Sequence, residues 1–219
     1  MFKFASSNFF MTYNDKQLQI ISAAELRFSD KGFDGTSVRD IAEAAGVNVA
    51  MISYYFGSKE KLMQAIFEQR TQHTTARIED LLHDDTLTPF EKMEKVIDDF
   101  ADRVVEKHKF YRLMICDQVI EKNNVIAGLL GDLKKKNADL INKLIADGQQ
   151  KKIFKENIDV AMLMNTMSGI IMHSFMGKDY YKNYHNLQHL SEEQFFELFK
   201  ERLKKYVKDI FKSILIYEG

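Results

Sequence analysis

The sequence contains one proline and ten glycines in 219 residues. Tight turns favour both residue types, and strand-rich folds need many such turns. So low a share argues against a sheet architecture and for long helices. A single cysteine excludes a disulfide framework and a thiolate metal cluster within one chain. No apolar run approaches the roughly 18 residues of a membrane span, so no membrane partner is expected. Charge of one sign is missing too: 31 basic side chains face 32 acidic ones, for a net charge of -1. Any tie to nucleic acid must therefore come from a local motif and not from bulk charge. The sequence has no glycine-rich phosphate loop, zinc triad or nucleophile elbow, so neither an enzyme nor a cofactor is expected. The opening stretch MFKFASSNFFM has no long apolar segment and no small-residue cleavage site. It does not read as a secretory leader. Residues 1–13 read as a disordered tail or a mis-assigned start, with Met11 as the alternative initiator. A cytoplasmic location follows by default, and the lone cysteine suits a reducing compartment.

Apolar residues make up 45% of the chain and charged ones 29%, which is enough apolar content for a packed core. The apolar positions recur with the helix period. Leu18, Ile21, Ala24 and Phe28 mark a first helix from Asn14 or Asp15 to Lys31, stopped by Gly32. Thr36 or Ser37 can cap a short helix from Val38 to Ala45, with Asp40 completing a capping box with Ser37. Gly46 breaks that helix, and Asn48 caps a third from Val49 to Tyr55. Gly57 ends it, and Ser58 caps a fourth that begins at Lys59 and runs to about His83. Further on, Thr88 followed by Pro89 signals another start. Helices are expected from Pro89 past Val104, from His108 to Ile120, from Val125 to Asp147, from Ile158 to Phe175, and from Ser191 to about Ile216. Asn123-Asn124 interrupts the series. The Tyr- and Asn-rich segment 177–190 reads as a loop or irregular crossing. The Lys134–Lys136 run reads as a solvated face. The fold class is thus all-α, with no convincing strand.

The helices at Val38 and Val49 are joined by Gly46, Val47 and Asn48. Two short helices with a three-residue, glycine-containing connection form a helix-turn-helix pattern. On spacing alone this corner is shared by many helical proteins. The ordered set of residues around it is more specific. Gly32-Phe33-Asp34-Gly35-Thr36-Ser37-Val38-Arg39-Asp40-Ile41-Ala42, then Ala45-Gly46-Val47, then Tyr55-Phe56-Gly57-Ser58-Lys59-Glu60-Lys61-Leu62 closely resembles the TetR family of bacterial transcriptional regulators. The detailed resemblance covers residues 15 to 65.

The resemblance implies a three-helix DNA-binding head over residues 14–62 and a helical effector-binding and dimerisation domain over 63–219. It implies a homodimer on double-stranded operator DNA, acting as a repressor that a small effector releases. The last two large helices would pair with their twins as a four-helix bundle. Thr36, Ser37 and Lys59 lie where the family places phosphate contacts. Arg39 can reach a base edge or a phosphate, and the hydroxyl of Tyr55 matches a family phosphate position. Packing, or for Thr36 a simple cap, is the competing role. The exposed candidates for base readout on the third helix are Asn48, Val49, Ala50, Ser53 and Tyr54. None is basic, and residues 1–65 hold seven basic and seven acidic side chains. Binding by such a head relies on fitted contacts more than on diffuse attraction.

Beyond the head the reading rests on composition. Five of the eleven methionines fall between 162 and 176. Methionine adapts to irregular apolar space. Met162 and Met167, with Met93, Phe110, Met114 and Phe175, are candidates to line a pocket for a small, mainly apolar effector. Asn165 and His173 are candidates to orient it with a hydrogen bond. Plain core or interface packing is the alternative for the whole set. Phe196, Phe199, Leu203, Tyr206 and Ile210 form an apolar stripe on the last helix and are the candidate dimer interface. His185 and His189 have no third partner in view, so no metal site is expected. Cys116 reads as a buried small side chain. A dimeric regulator without a small-molecule effector, governed by a protein partner or by its own abundance, is the second functional reading.

Overall fold

A computed structural model of the chain describes residues 13–120 and 124–217. Residues 1–12, Asn123 and the side chain of Cys116, all read above from the sequence, lie outside the described residues. Ten helices and no strand are found among those described: α1 (Asp15–Lys31), α2 (Val38–Ala44), α3 (Val49–Phe56), α4 (Lys59–Leu82), α5 (Pro89–Glu106), α6 (His108–Ile120), α7 (Asn124–Gln150), α8 (Val160–Met176), α9 (Lys178–Tyr184) and α10 (Glu192–Leu215). The chain forms two compact units. The first holds the described residues up to Thr74 and those between Cys116 and Leu129. The second holds Thr75–Ile115 and the described residues from Leu130 onward. None of the described helices is long and apolar enough to cross a membrane.

Local chemistry explains where the helices begin. Asn14, Ser37, Thr88 and Ser191 each accept a hydrogen bond from the third backbone N–H of their helix. In each case the third residue answers with a side-chain bond to the cap's own N–H. These are reciprocal capping boxes, which satisfy two orphan groups apiece. Pro89 occupies the first position of α5, where its missing N–H costs nothing.

In the first unit Ile20, Ile21, Ala24 and Phe28 of α1, Ile41 and Ala42 of α2, Ile52 and Phe56 of α3, and Leu62, Met63 and Ile66 of α4 are buried. Two polar links tie α1 and the residue before its cap to α4. Glu25 is buried and accepts hydrogen bonds from Arg70, and the Tyr13 hydroxyl donates to Glu68 at 3.3 Å. Burial, reinforced by the Glu68 charge, pushes the Tyr13 phenol up to about 12. It therefore stays neutral and donating at any physiological pH.

In the second unit α5 packs against both α8 and α10. Lys208 donates to Asp98 and Lys204 to Asp102, both at 2.7 Å, so charge pairs run along the α5–α10 seam. Lys92 is buried, and its ammonium donates to the carbonyl of Leu82 at 2.8 Å, capping the end of α4 from α5.

The structure corrects one element. Part of the segment expected to be irregular forms the two-turn helix α9. Tyr180 and Tyr184 lie one turn apart with ring centroids 5.8 Å from each other, and Tyr181 packs edge-on to Phe199 at 5.1 Å. Ring packing on both faces holds a helix that its polar composition did not suggest.

Candidate nucleic-acid interface

The α2–α3 corner is built by backbone geometry. Gly46 takes φ +59°, and its N–H donates to the carbonyl of Glu43 while that of Val47 donates to Ala42. A left-handed residue just past the helix end closes the last turn in this way, and glycine adopts that region without penalty. From α1, Gln19 donates to the carbonyl of Ala45 at 2.7 Å and fixes the corner to the helix behind it. Ile52 is buried beneath α3 and anchors the helix by its inner side.

The outer side of α3 is open. Asn48, Val49, Ala50 and Ser53 are exposed, and Tyr54 is 82% exposed. Asn48 also caps the helix, its side-chain oxygen accepting from the N–H of Ala50 at 2.9 Å. Its amide group remains as the donor end. Tyr55 is half-buried, edge-on to both Tyr54 and Phe56, and Phe56 belongs to the core. Arg39 is exposed on the first turn of α2.

Two of the phosphate candidates sit differently from the sequence expectation. Thr36 is 1% exposed, and its hydroxyl lies within bonding distance of the carbonyls of Gly32 at 2.8 Å and Arg27 at 3.1 Å. It is a buried tie at the end of α1 with no hydroxyl facing outward. Lys59 is half-buried, and its ammonium donates to the carbonyls of Phe33 at 2.9 Å and Thr36 at 3.1 Å. Ser37, not Thr36, is the cap of α2, and both its hydroxyl and its N–H bond Asp40. Those two bonds, followed by the neighbouring Lys31, hold the Asp40 carboxyl down at about 2. The cap is thus fully formed across the neutral range.

The second unit sorts the remaining candidates by helix face. Met93, Phe110, Met114 and Met167 are buried. Phe175 stacks on Phe196 at 6.1 Å and lies 5.9 Å from His108. Close by in sequence, the phenol of Tyr111 is pushed up by burial against the opposing pull of Arg103. Met162, Asn165 and His173 lie on the opposite, exposed face of α8, away from the buried Leu163, Met167 and Ile171. They therefore do not line an interior with Met167. The apolar stripe of α10 also divides. Phe199 and Leu203 belong to the chain's own core, together with Phe195, Val207, Phe211 and Leu215. Tyr206 is exposed, and Phe196 and Ile210 are half-buried. His185 and His189 fall on the turn after α9, where His189 bonds the carbonyl of Asn186. Among the described residues no three His, Cys, Asp or Glu side chains are grouped to hold a metal ion.

Residues 20–66 match the family described as bacterial regulatory proteins, tetR family, and residues 89–198 match the tetracyclin repressor-like C-terminal domain. A protein named as a probable HTH-type transcriptional regulator, YttP of Bacillus subtilis, is 23% identical over 196 residues, which are 89% of this chain and 93% of that protein. The Bacillus subtilis regulator FadR, solved in complex with stearoyl-CoA, aligns with a TM-score of 0.61 at 20% identity, over 87% of this chain and 96% of that one. The ketosteroid regulator KstR2 of Mycobacterium tuberculosis aligns with a TM-score of 0.69 at 17% identity, over 94% of this chain and 98% of that one.

Proposed function

The chain belongs to the TetR family of bacterial regulatory proteins, and on that footing we propose that it is a homodimeric repressor that a small, mainly apolar effector releases from its operator. It is a DNA-binding transcriptional regulator, with the head over residues 14–62 and the effector and dimer functions in 63–219. The cytoplasm is the location such a role requires. The observation that carries the DNA assignment is the outer side of α3, where five side chains stand free of the core on a helix anchored by its inner side.

Asn48 and Tyr54 read bases, Val49 or Ala50 meets a thymine methyl group, and Arg39 and Tyr55 hold the backbone. Binding-site selection on wild type, Asn48→Ala and Tyr54→Ala tests this. Each variant is expected to relax preference at one or two base pairs per half-site, about 1–3 kcal/mol for each lost contact. Identical preferred sequences for all three proteins would remove both residues from base readout.

The dimer reading rests on the second, outward apolar faces of α8 and α10. Met162 and Met176 on α8, and Tyr206 and Ile214 on α10, are exposed on helices whose other sides are fully packed. The effector reading rests on the buried Met93, Phe110, Met114 and Met167, which offer polarizable surface and no fixed charge. A fatty acyl chain or a steroid has that character, in keeping with the stearoyl part of the ligand in the FadR structure and the name of the ketosteroid regulator KstR2. A compound of this kind at a hundred times its dissociation constant is expected to stabilise the chain by about 2.7 kcal/mol and to release it from its operator. Thermal melts and gel shifts across acyl-CoAs, steroids and charged polar controls check this. A panel in which no apolar compound raises the melting temperature would favour the effector-independent regulator.

A further inference from the structure

We infer that Arg103 and Tyr111 form the polar end of the effector site, and that the effector is an amphiphile, an apolar body ending in a carboxylate. The inference deepens the effector reading given above and rests on it.

The charge of Arg103 has no counterpart among the described residues. A guanidinium stays protonated in a protein, so burial cannot neutralise it. Arg103 is half-buried near the end of α5. The acids around it on that helix serve other cations. Asp99 pairs with Arg77 at 2.8 Å, Asp102 with Lys204 at 2.7 Å, and the charge of Glu106 acts on Lys200. The Nε–H of Arg103 is fully buried and has no hydrogen-bond partner. Buried donors are nearly always satisfied, and buried charges nearly always paired. An orphaned N–H on an unpaired cation is matched by an acceptor that carries negative charge.

Aromatic rings connect this cation to the apolar side chains of the effector reading. The guanidinium carbon lies 5.9 Å from the Phe100 ring centroid, at the edge of cation–π range. The Phe100 ring meets that of Tyr111 edge-on at 5.9 Å, and Tyr111 meets the buried Phe110 edge-on at 5.4 Å. Phe100 and Tyr111 both pack on the core cluster that contains Met93 and Met167. The Tyr111 hydroxyl stands beside Arg103. Burial raises its phenol, and the guanidinium opposes that rise through its charge and a side-chain bond. The phenol stays protonated in the neutral range and keeps an O–H to donate. A charged donor and a neutral one thus stand together at the rim of an apolar cluster.

These donors select for one kind of head group. A guanidinium edge presents two parallel N–H groups, and a carboxylate presents two oxygens that match them. The Nε–H is one member of such an edge, so a carboxylate taken there satisfies the orphaned donor and leaves the phenol for a further bond. That N–H is sealed in the free chain, so a side chain must turn to admit the ligand. Phe100, half-buried and laid over the guanidinium, is placed to do so. One unpaired cation suits one negative charge. A methyl ester or an alcohol leaves it unpaired. A coenzyme A thioester has lost the carboxylate and brings several phosphates in its place.

The experiment uses the full chain and matched ligands: a long-chain fatty acid and a steroid acid, each beside its methyl ester, and the coenzyme A thioester of the fatty acid. Equilibrium dialysis at neutral pH gives the dissociation constants. At least one free acid is expected to bind wild type roughly ten- to a hundredfold more tightly than its ester, the worth of one charge-assisted hydrogen bond. Arg103→Met keeps an unbranched stem and removes the charge, and it should bring acid and ester within about twofold of each other at near wild-type affinity for the ester. Equal binding of acid and ester by wild type, or an unchanged preference in Arg103→Met, overturns the inference and leaves an apolar effector standing. Tighter binding of the thioester than of the free acid overturns it as well. A wild type that binds neither acids nor esters nor the thioester overturns the effector reading itself, and this inference with it. If Arg103→Met fails to fold, as judged by its helix content, Arg103→Lys takes its place. That variant keeps the charge and loses the paired N–H edge. A preference for the acid that falls severalfold supports the inference, and an unchanged one overturns it.

Discussion

Replacing Phe199 with Asp is expected to abolish cooperative folding of the second unit. The side chain is 2% exposed, with its ring 5.7 Å from that of Phe195 and 5.1 Å from that of Tyr181. Truncating a buried phenylalanine costs about 3–5 kcal/mol by itself. A carboxylate placed there meets an apolar wall, and burying an unpaired charge adds several kcal/mol more. Together these approach the whole stability of an ordinary domain, about 5–15 kcal/mol. Far-UV circular dichroism should show much of the helix signal lost at 25 °C and no sharp thermal transition. A variant that melts cooperatively within a few degrees of wild type would show that this face of α10 is not the core.

Tyr206 lies three residues further than Leu203 on the same helix and is expected to behave in the opposite way. It is 60% exposed, and Met162 on α8 is 61% exposed. Surface substitutions away from packed features usually change stability by less than about 0.5 kcal/mol. The pair Tyr206→Asp and Met162→Asp should therefore leave each chain folded while placing like charges on both sides of the proposed two-fold interface. The product expected is a folded monomer. Its affinity for a two-half-site operator should fall by about 10²–10⁴, because the second head no longer binds as a tethered partner. Sedimentation gives the mass, circular dichroism the fold and gel shift the affinity. A folded double variant that still sediments as a dimer would place the interface elsewhere.

The contrast between these two variants shows how much of α10 was legible in its sequence. The helix and its cap could be read, because Ser191 with Gln194 is a local signal and the apolar period is strong. The face could not. Phe195-Phe196, Tyr206-Val207, Ile210-Phe211 and Ile214-Leu215 are doubled apolar positions, so two neighbouring stripes run along one helix. Only the packing shows that Phe195, Phe199, Leu203, Val207, Phe211 and Leu215, spaced by strict fours, form the inner one. The same ambiguity affects α8. Apolar residues surround it, and Met162 and Met167 look alike in sequence although one is outside and the other inside.

In the head the sequence carried more. Gly46, Asn48 and Ser37 do their work through local backbone geometry, which residue type and spacing reveal. Thr36 and Lys59 were harder. Each looks like a donor available to a ligand until the carbonyls it serves, brought in from earlier parts of the chain, are known. The Lys59 ties, made across more than twenty residues, leave no periodic trace. The helix at Lys178–Tyr184 was missed for a related reason, since the ring of Tyr181 finds that of Phe199 only in the folded unit.

The way the head spends its cations bears on how quickly a regulator of this kind finds its site. Residues 1–65 hold seven basic and seven acidic side chains, Lys31 is paired with Asp40, and the Lys59 ammonium is turned inward. Long-range attraction to a polyanion accelerates encounter, and without steering association rates fall to about 10⁵–10⁶ M⁻¹s⁻¹. At that speed a nanomolar operator complex must dissociate at about 10⁻⁴–10⁻³ s⁻¹. Occupancy of the promoter would then be governed by dwell times of roughly ten minutes to a few hours. A slow-arriving, slow-leaving repressor ignores brief dips in its own concentration, and an inducer that shortens the dwell, not one that blocks arrival, would reset transcription within a generation.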